Sequence, residues 1–258
     1  MIVGKLKPLE EIAASVSGCK KILILACGSC VTVCLSGGDR EARALARELS
    51  HSRYHRGAPP DLRVNSFLRQ CERDLLGAHL QLPEGTDAIL SLACGAGVQT
   101  TAEVFRGVPV IPALNTTFLG ALDEPGLWRE KCHGCGDCML ARTAGICPIS
   151  RCAKRILNGP CGGSSKGKCE IGEDVDCAWH LIVERLKELG RLDDYERITP
   201  LKDWSADRGG GPRSYRRAAN DCSEDWPHAK AQRPQRLSEG MKLSVSASLR
   251  ENSFHGPG

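Results

Sequence analysis

The sequence predicts an α/β protein: a mostly parallel sheet, then a cysteine-rich segment closed by one helix. Three observations predict it. Residues 20–26 (K-K-I-L-I-L-A) and 87–93 (D-A-I-L-S-L-A) are short continuous apolar runs of similar character. Such runs suit strands buried on both faces. Helical patterns follow each run. Beyond Trp128 the long apolar periodicity stops, and eight cysteines fall within the 46 residues from Cys132 to Cys177.

Each element has its own local reason. After the first strand, Gly37-Gly38 breaks the chain and Asp39 can cap a helix. Ala42, Leu45, Ala46 and Leu49 then form a helical stripe. Leu62–Val64 reads as a second strand, with a helix after Cys71. Gly95 and Gly97 follow the third strand and precede a helix over Val98–Phe105. Val108–Ile111 is a fourth strand. Strands alternating with helices imply a mostly parallel, Rossmann-like sheet over residues 1–127. Residues 128–204 form the cysteine-rich part. It has little apolar periodicity, so bound metal would have to organise it. Its one clear helix runs over Asp176–Leu189, with Ala178, Ile182, Leu186 and Leu189 on one face and Gly190 at its end. Residues 205–258 carry Gly209-Gly210-Gly211 and many Arg, Ser and Pro without periodicity, and are expected to be disordered.

Composition limits the partners. At 258 residues the chain can bury a real core, which an aromatic content of 4% makes mainly aliphatic. A net charge of +4, with no basic run interleaved with aromatics, argues against nucleic acid. The longest apolar stretch, Ile22–Ala26, is too short to span a bilayer. With no apolar leader at the N-terminus, the expected location is cytoplasmic. In that reducing setting, 15 cysteines point to metal sites rather than disulfides.

The cysteines form two groups. The second comprises Cys132, Cys135, Cys138, Cys147, Cys152, Cys161, Cys169 and Cys177. It opens with C-H-G-C-G-D-C, two consecutive C-x₂-C steps, and Cys147 is followed by Pro148. The pattern resembles the C-x₂-C-x₂-C…C-P run of bacterial ferredoxins, with a longer gap before the Cys-Pro. Eight thiolates suffice for two [4Fe-4S] clusters. Structural zinc is the alternative, since it also takes Cys₄ sites. Gly134, Gly136, Gly159, Gly162 and Gly163 let the backbone wrap closely and aim N–H groups at sulfur. The first group is Cys27, Cys30 and Cys34, spaced C-x₂-C-x₃-C after the first strand, with Cys71 and Cys94 after later strands. Loops after neighbouring parallel strands gather at one edge. Five thiols there could supply a further cluster or a zinc site, with one to spare. Which four would bind is left open; Cys71 and Cys94 could instead be small buried hydrophobes, but C-x₂-C-x₃-C at the same edge favours a metal site.

Other signals are weaker. Gly28, Gly37, Gly38, Gly95 and Gly97 could cradle a phosphate, but no G-x-G-x-x-G or G-x₄-G-K-[ST] is present. His133 and His180 read as surface groups or neighbours of the ligands. Trp179 reads as helix packing. No Ser-His-Asp set and no paired catalytic carboxylates stand out.

The motifs carry a resemblance. C-H-G-C-G-D-C (132–138), I-C-P-I-S-R-C-A-K (146–154), L-N-G-P-C-G-G (157–163) and D-C-A-W-H-L-I-V-E-R-L-K-E-L-G-R-L-D (176–193) resemble the methylenetetrahydrofolate reductase C-terminal domain family, found as an iron–sulfur subunit in reductase complexes of anaerobes. C-G-S-C-V-T-V-C-L-S-G-G (27–38) and P-A-L-N-T-T-F-L-G (112–120) are similar to that subunit's N-terminal portion. The resemblance covers residues 1 to 212. It implies an electron-transfer subunit of one-carbon metabolism. Its partner would be a flavin-containing catalytic subunit that reduces methylene- to methyl-tetrahydrofolate. A further electron-donor subunit could join them. The catalytic groups would then lie on the partner, and this chain would be non-catalytic.

Overall fold

A computed structural model of the chain describes residues 1–51, 59–197, 200–205, 207 and 212–214. β1 (Ile2–Leu6) leads into α1 (Leu9–Ser15), which starts behind Pro8. β2 (Lys21–Cys27) is buried from Ile22 onward. A single turn, α2 (Cys30–Val33), and then α3 (Asp39–Leu49) follow it. β3 (Asp61–Phe67), α4 (Arg73–His79), β4 (Ala88–Leu92), α5 (Gly95–Val104) and β5 (Val110–Pro112) complete the alternation. The four expected strands form one parallel sheet in the order β3-β2-β4-β5.

Alternation along β2 and β4 divides the core into two layers. Ile22, Ile24, Leu90 and Leu92 pack under α1 and α3 through Ile12, Ala42, Leu45 and Leu49. Leu23, Leu25 and Ile89 face the other way, against Leu76 and Leu80 at α4. A strand buried on both sides must be apolar at every position, which is why both runs are continuous.

The N-cap of α3 differs from expectation. Gly38 occupies it, and its N–H donates to the Glu41 carboxylate at 3.1 Å. Asp39 is the first helical residue. Its carboxylate instead accepts from Arg43 Nε at 2.7 Å and Ser66 Oγ at 2.8 Å, tying α3 to β3.

Three strands lie outside the sequence expectation. β6 (Leu114–Glu124) and β7 (Leu127–Cys132) form a hairpin, and β1 pairs antiparallel with β6. Most of β6 is half-buried or exposed, so it has no clean apolar alternation to read. Its partner β1 lies more than a hundred residues earlier. The hairpin carries the chain from the parallel sheet to Cys132.

The cysteine-rich part contains one turn of helix, α6 (Pro148–Arg151), and a small antiparallel sheet of β8 (Ser164–Ser165), β9 (Lys168–Cys169) and β10 (Gly172–Asp176). Then come α7 (Ala178–Glu188) and α8 (Asp193–Glu196). Ala178, Trp179, Ile182 and Leu186 are the buried face of α7, and Gly190 follows in the left-handed region at φ 62°. The described residues of Met1–Gly211 form one compact unit. The expected disorder of residues 205–258 falls outside the described residues, save 205, 207 and 212–214. Among the described residues no helix is long and apolar enough to cross a membrane.

Candidate metal centres

The first group sits at the carboxyl edge of the parallel sheet. Cys27 is the last residue of β2, in register with Phe67 at the end of β3, while Ala26 is in register with Leu92 at the end of β4. Cys71 therefore follows β3 and Cys94 follows β4 at the same edge. Cys30 opens α2, and Cys94 is the N-cap of α5. The loop after β2 is tightly built. α2 ends with Leu35 at φ 55°; Leu35 N–H bonds Thr32 O at 3.0 Å, and Ser36 N–H bonds Val31 O at 2.9 Å. That is a Schellman turn with leucine in the place usually held by glycine. Gly37 then passes so close to β4 that a Cβ would lie 2.2 Å from Leu92 O.

Gln70 fixes the other side of this edge, and nothing in the sequence marks it. It is wholly buried, although its neighbours Arg69 and Cys71 are exposed. Its amide donates to Leu25 O at 2.9 Å. Its carbonyl accepts from Ser91 Oγ at 2.6 Å and Thr101 Oγ1 at 3.4 Å. A loop glutamine between Arg and Cys reads as solvent-facing, and only the pairing of three separate elements buries it. Partial shielding from water pushes the Cys71 thiol up, and the nearby Cys94 and Cys27 thiols push it the same way. Arg69, paired with Glu72 at 2.6 Å, also feels Cys71 and Cys30. Cys34 stands apart: it is buried, with Sγ 3.1 Å from Ser36 Oγ and donating to Val31 O at 3.6 Å.

The second group is spread over short elements. Cys132 ends β7, and the Gly134 N–H donates to its sulfur at 3.3 Å, the backbone-to-sulfur contact anticipated from the glycines. Cys135 Sγ lies 3.6 Å from Asp137 O. Cys147 and Cys152 bracket α6 as its caps. Cys152 packs against the small core of Ala144, Cys177, Trp179, Ile182 and Leu186. Cys177 is the N-cap of α7, one position before its first turn. Cys161 and Cys169 share Lys154. Its ammonium is 3.9 Å from Cys161 Sγ and ion-paired with Glu170. That pair raises the Lys154 pKa first, and the charges of Cys161 and Cys169 add to it. Trp179 packs as expected, donating from Nε1 to Ile156 O at 2.8 Å.

Fourteen cysteines are described and all are free thiols. Among the described residues no three His, Cys, Asp or Glu side chains stand close enough together to hold a single metal ion. The donor set itself is all sulfur, with N–H groups and an ammonium near it. Such a set suits soft metals and iron–sulfur clusters rather than magnesium or calcium.

Fold and thiols together define an α/β sheet protein with a cysteine-rich extension. Residues 111–205 match the family model described as methylene-tetrahydrofolate reductase C terminal. The match spans β6, β7 and all eight cysteines of the second group. No curated protein and no solved structure matches the chain.

Proposed function

We propose that this chain is the iron–sulfur electron-transfer subunit of a methylenetetrahydrofolate reductase complex. It would serve a flavin-containing partner that reduces methylene- to methyl-tetrahydrofolate. The observation that carries this reading is the coincidence of the family match with the eight-cysteine segment. When bound, [4Fe-4S] clusters supply single-electron transfer. The residues of the second group would hold two of them. Cys132, Cys135 and Cys138 lie within seven residues and act as one ligand unit. The Gly134 N–H and Lys154 ammonium would offset negative charge on sulfur. The flavin and folate would bind the partner.

The test is anaerobic purification with iron, zinc and acid-labile sulfide analysis, then reconstitution with the flavin subunit and a low-potential donor. Iron equal to sulfide, and donor-dependent folate reduction that is lost with Cys135→Ala, are expected. Zinc alone would support a docking module without redox work. Full activity in a Cys135→Ala complex shown to lack that cluster would make the cluster structural. Turnover by the isolated chain would place the active site here.

A further inference from the structure

We infer that Cys27, Cys30, Cys71 and Cys94 hold a further iron–sulfur cluster at the carboxyl edge of the parallel sheet, and that Cys34 takes no part. The inference deepens the reading above and rests on its iron–sulfur chemistry.

Topology brings the four thiols together from three adjacent strands. β3, β2 and β4 are neighbours, all parallel, so their carboxyl ends share one edge. The loops are locked there. Gly28 N–H bonds Phe67 O at 2.8 Å and Ser29 Oγ bonds Leu68 O at 3.3 Å, tying the Cys27–Cys30 loop to the chain leading to Cys71. Gln70 joins that same chain to β2, β4 and α5. At Gly97, a Cβ would lie 2.7 Å from Ala93 Cβ and 3.1 Å from Gln70 Cβ. Only glycine lets the first turn of α5, with Cys94 at its cap, close against the residue next to Cys71.

Cys34 differs in kind. Its sulfur is enclosed within its own turn, 3.1 Å from Ser36 Oγ and 3.6 Å from Val31 O. It packs in an apolar cluster with Val3, Val31 and Leu114. Cys27 is a buried member of that cluster and Cys94 packs against it, but both are also near enough to Cys71 for their charges to interact. Cys71 is exposed and Cys30 and Cys94 are half-buried, so the set opens to the surface.

A cluster and a single zinc ion ask for different spacings of the same four thiols. Zinc–sulfur bonds near 2.3 Å demand sulfurs about 4 Å apart. A cubane spreads its cysteine sulfurs to about 7 Å, which a ring of loops around a sheet edge can span. One more donor lies nearby. Trp128 packs on the apolar cluster that includes Cys27, and its indole N–H is buried without a partner among the described residues. Sulfide accepts such donors.

The experiment compares the full chain with single variants, each purified anaerobically. Iron, sulfide and zinc are measured, and spins are counted by electron paramagnetic resonance after dithionite reduction. Cys30→Ala, Cys71→Ala and Cys94→Ala are each expected to remove about four iron atoms per chain and one spin system. Cys34→Ser, which keeps a hydroxyl donor to Val31 O, is expected to keep both. Circular dichroism checks that the variants fold, and exposed Cys71 is the safest site. Full iron in folded Cys71→Ala and Cys94→Ala overturns the inference. So does zinc rather than iron lost on substitution, or a cluster lost in folded Cys34→Ser. If Cys135→Ala loses iron and the sheet-edge variants do not, this inference falls while the functional reading stands. If the wild-type chain holds no iron, both fall.

Discussion

The parallel sheet and the cysteine-rich segment solve the folding problem by different means. In the sheet, Ile22, Leu23, Ile24, Leu25, Ile89, Leu90 and Leu92 are all buried, and helices cover both faces. Between Cys132 and Cys177 the structure has only one helical turn and three short strands, β8 to β10. The core nearest that stretch has five buried members, four of them at the start or on the face of α7. The sheet can therefore hold its thiols on a scaffold that aliphatic burial already stabilises. On the proposed reading, the segment would need its thiols bound in order to become a scaffold. On that reading, one region would position ligands and the other would be positioned by them.

The strongest way to break this comparison is metal removal. After anaerobic chelation, amide hydrogen exchange in residues 132–176 is expected to rise to nearly that of an unfolded chain. Amides of β2 and β4 should stay protected. Equal protection in both regions after metal loss would show that the segment folds without ligands.

A core truncation tests the other half. Leu90→Ala removes a fully buried side chain from the middle of β4 and is expected to cost about 2–5 kcal/mol. Denaturant unfolding measures it. A loss well below that range would mean that the aliphatic core is not what holds the sheet.

Gln70→Ala should cost about 1–3 kcal/mol, since it leaves Leu25 O buried without its donor. It should also loosen Cys71 and Cys94, with iron retained less tightly on dilution. Unchanged stability would mean that Gln70 only fills space.

The smallest effect lies at the opposite edge of the sheet. Asp87 accepts from the backbone N–H groups of Lys20 and Lys21, both at 2.8 Å. Those bonds hold its carboxyl below the usual carboxylate range. A lowered folded pKa gives stability that is present above the unfolded value of about 3.9 and lost as pH falls through the folded one. Asp87→Asn should therefore be less stable than wild type at pH 7, and thermal melts should show the gap closing below about pH 4. A gap that persists in acid would trace to the lost acceptor geometry rather than to charge.

Sequence alone determined the parallel sheet and the long helices. Continuous apolar runs bounded by turn residues, and helical stripes, are local patterns written in neighbouring residues. It also marked the thiols, because the cysteine spacing in C-H-G-C-G-D-C is itself local. The tertiary structure decided what depends on distant partners. β6 is a strand because β1, more than a hundred residues away, pairs with it. Gln70 is buried because β2, β4 and α5 meet over it. Cys34 and Cys30 look alike in C-x₂-C-x₃-C, yet a turn at Leu35 folds the Cys34 thiol into the apolar core and leaves Cys30 at the open edge. Chain-local patterning cannot specify such choices, since each is made by the packing of elements remote in sequence.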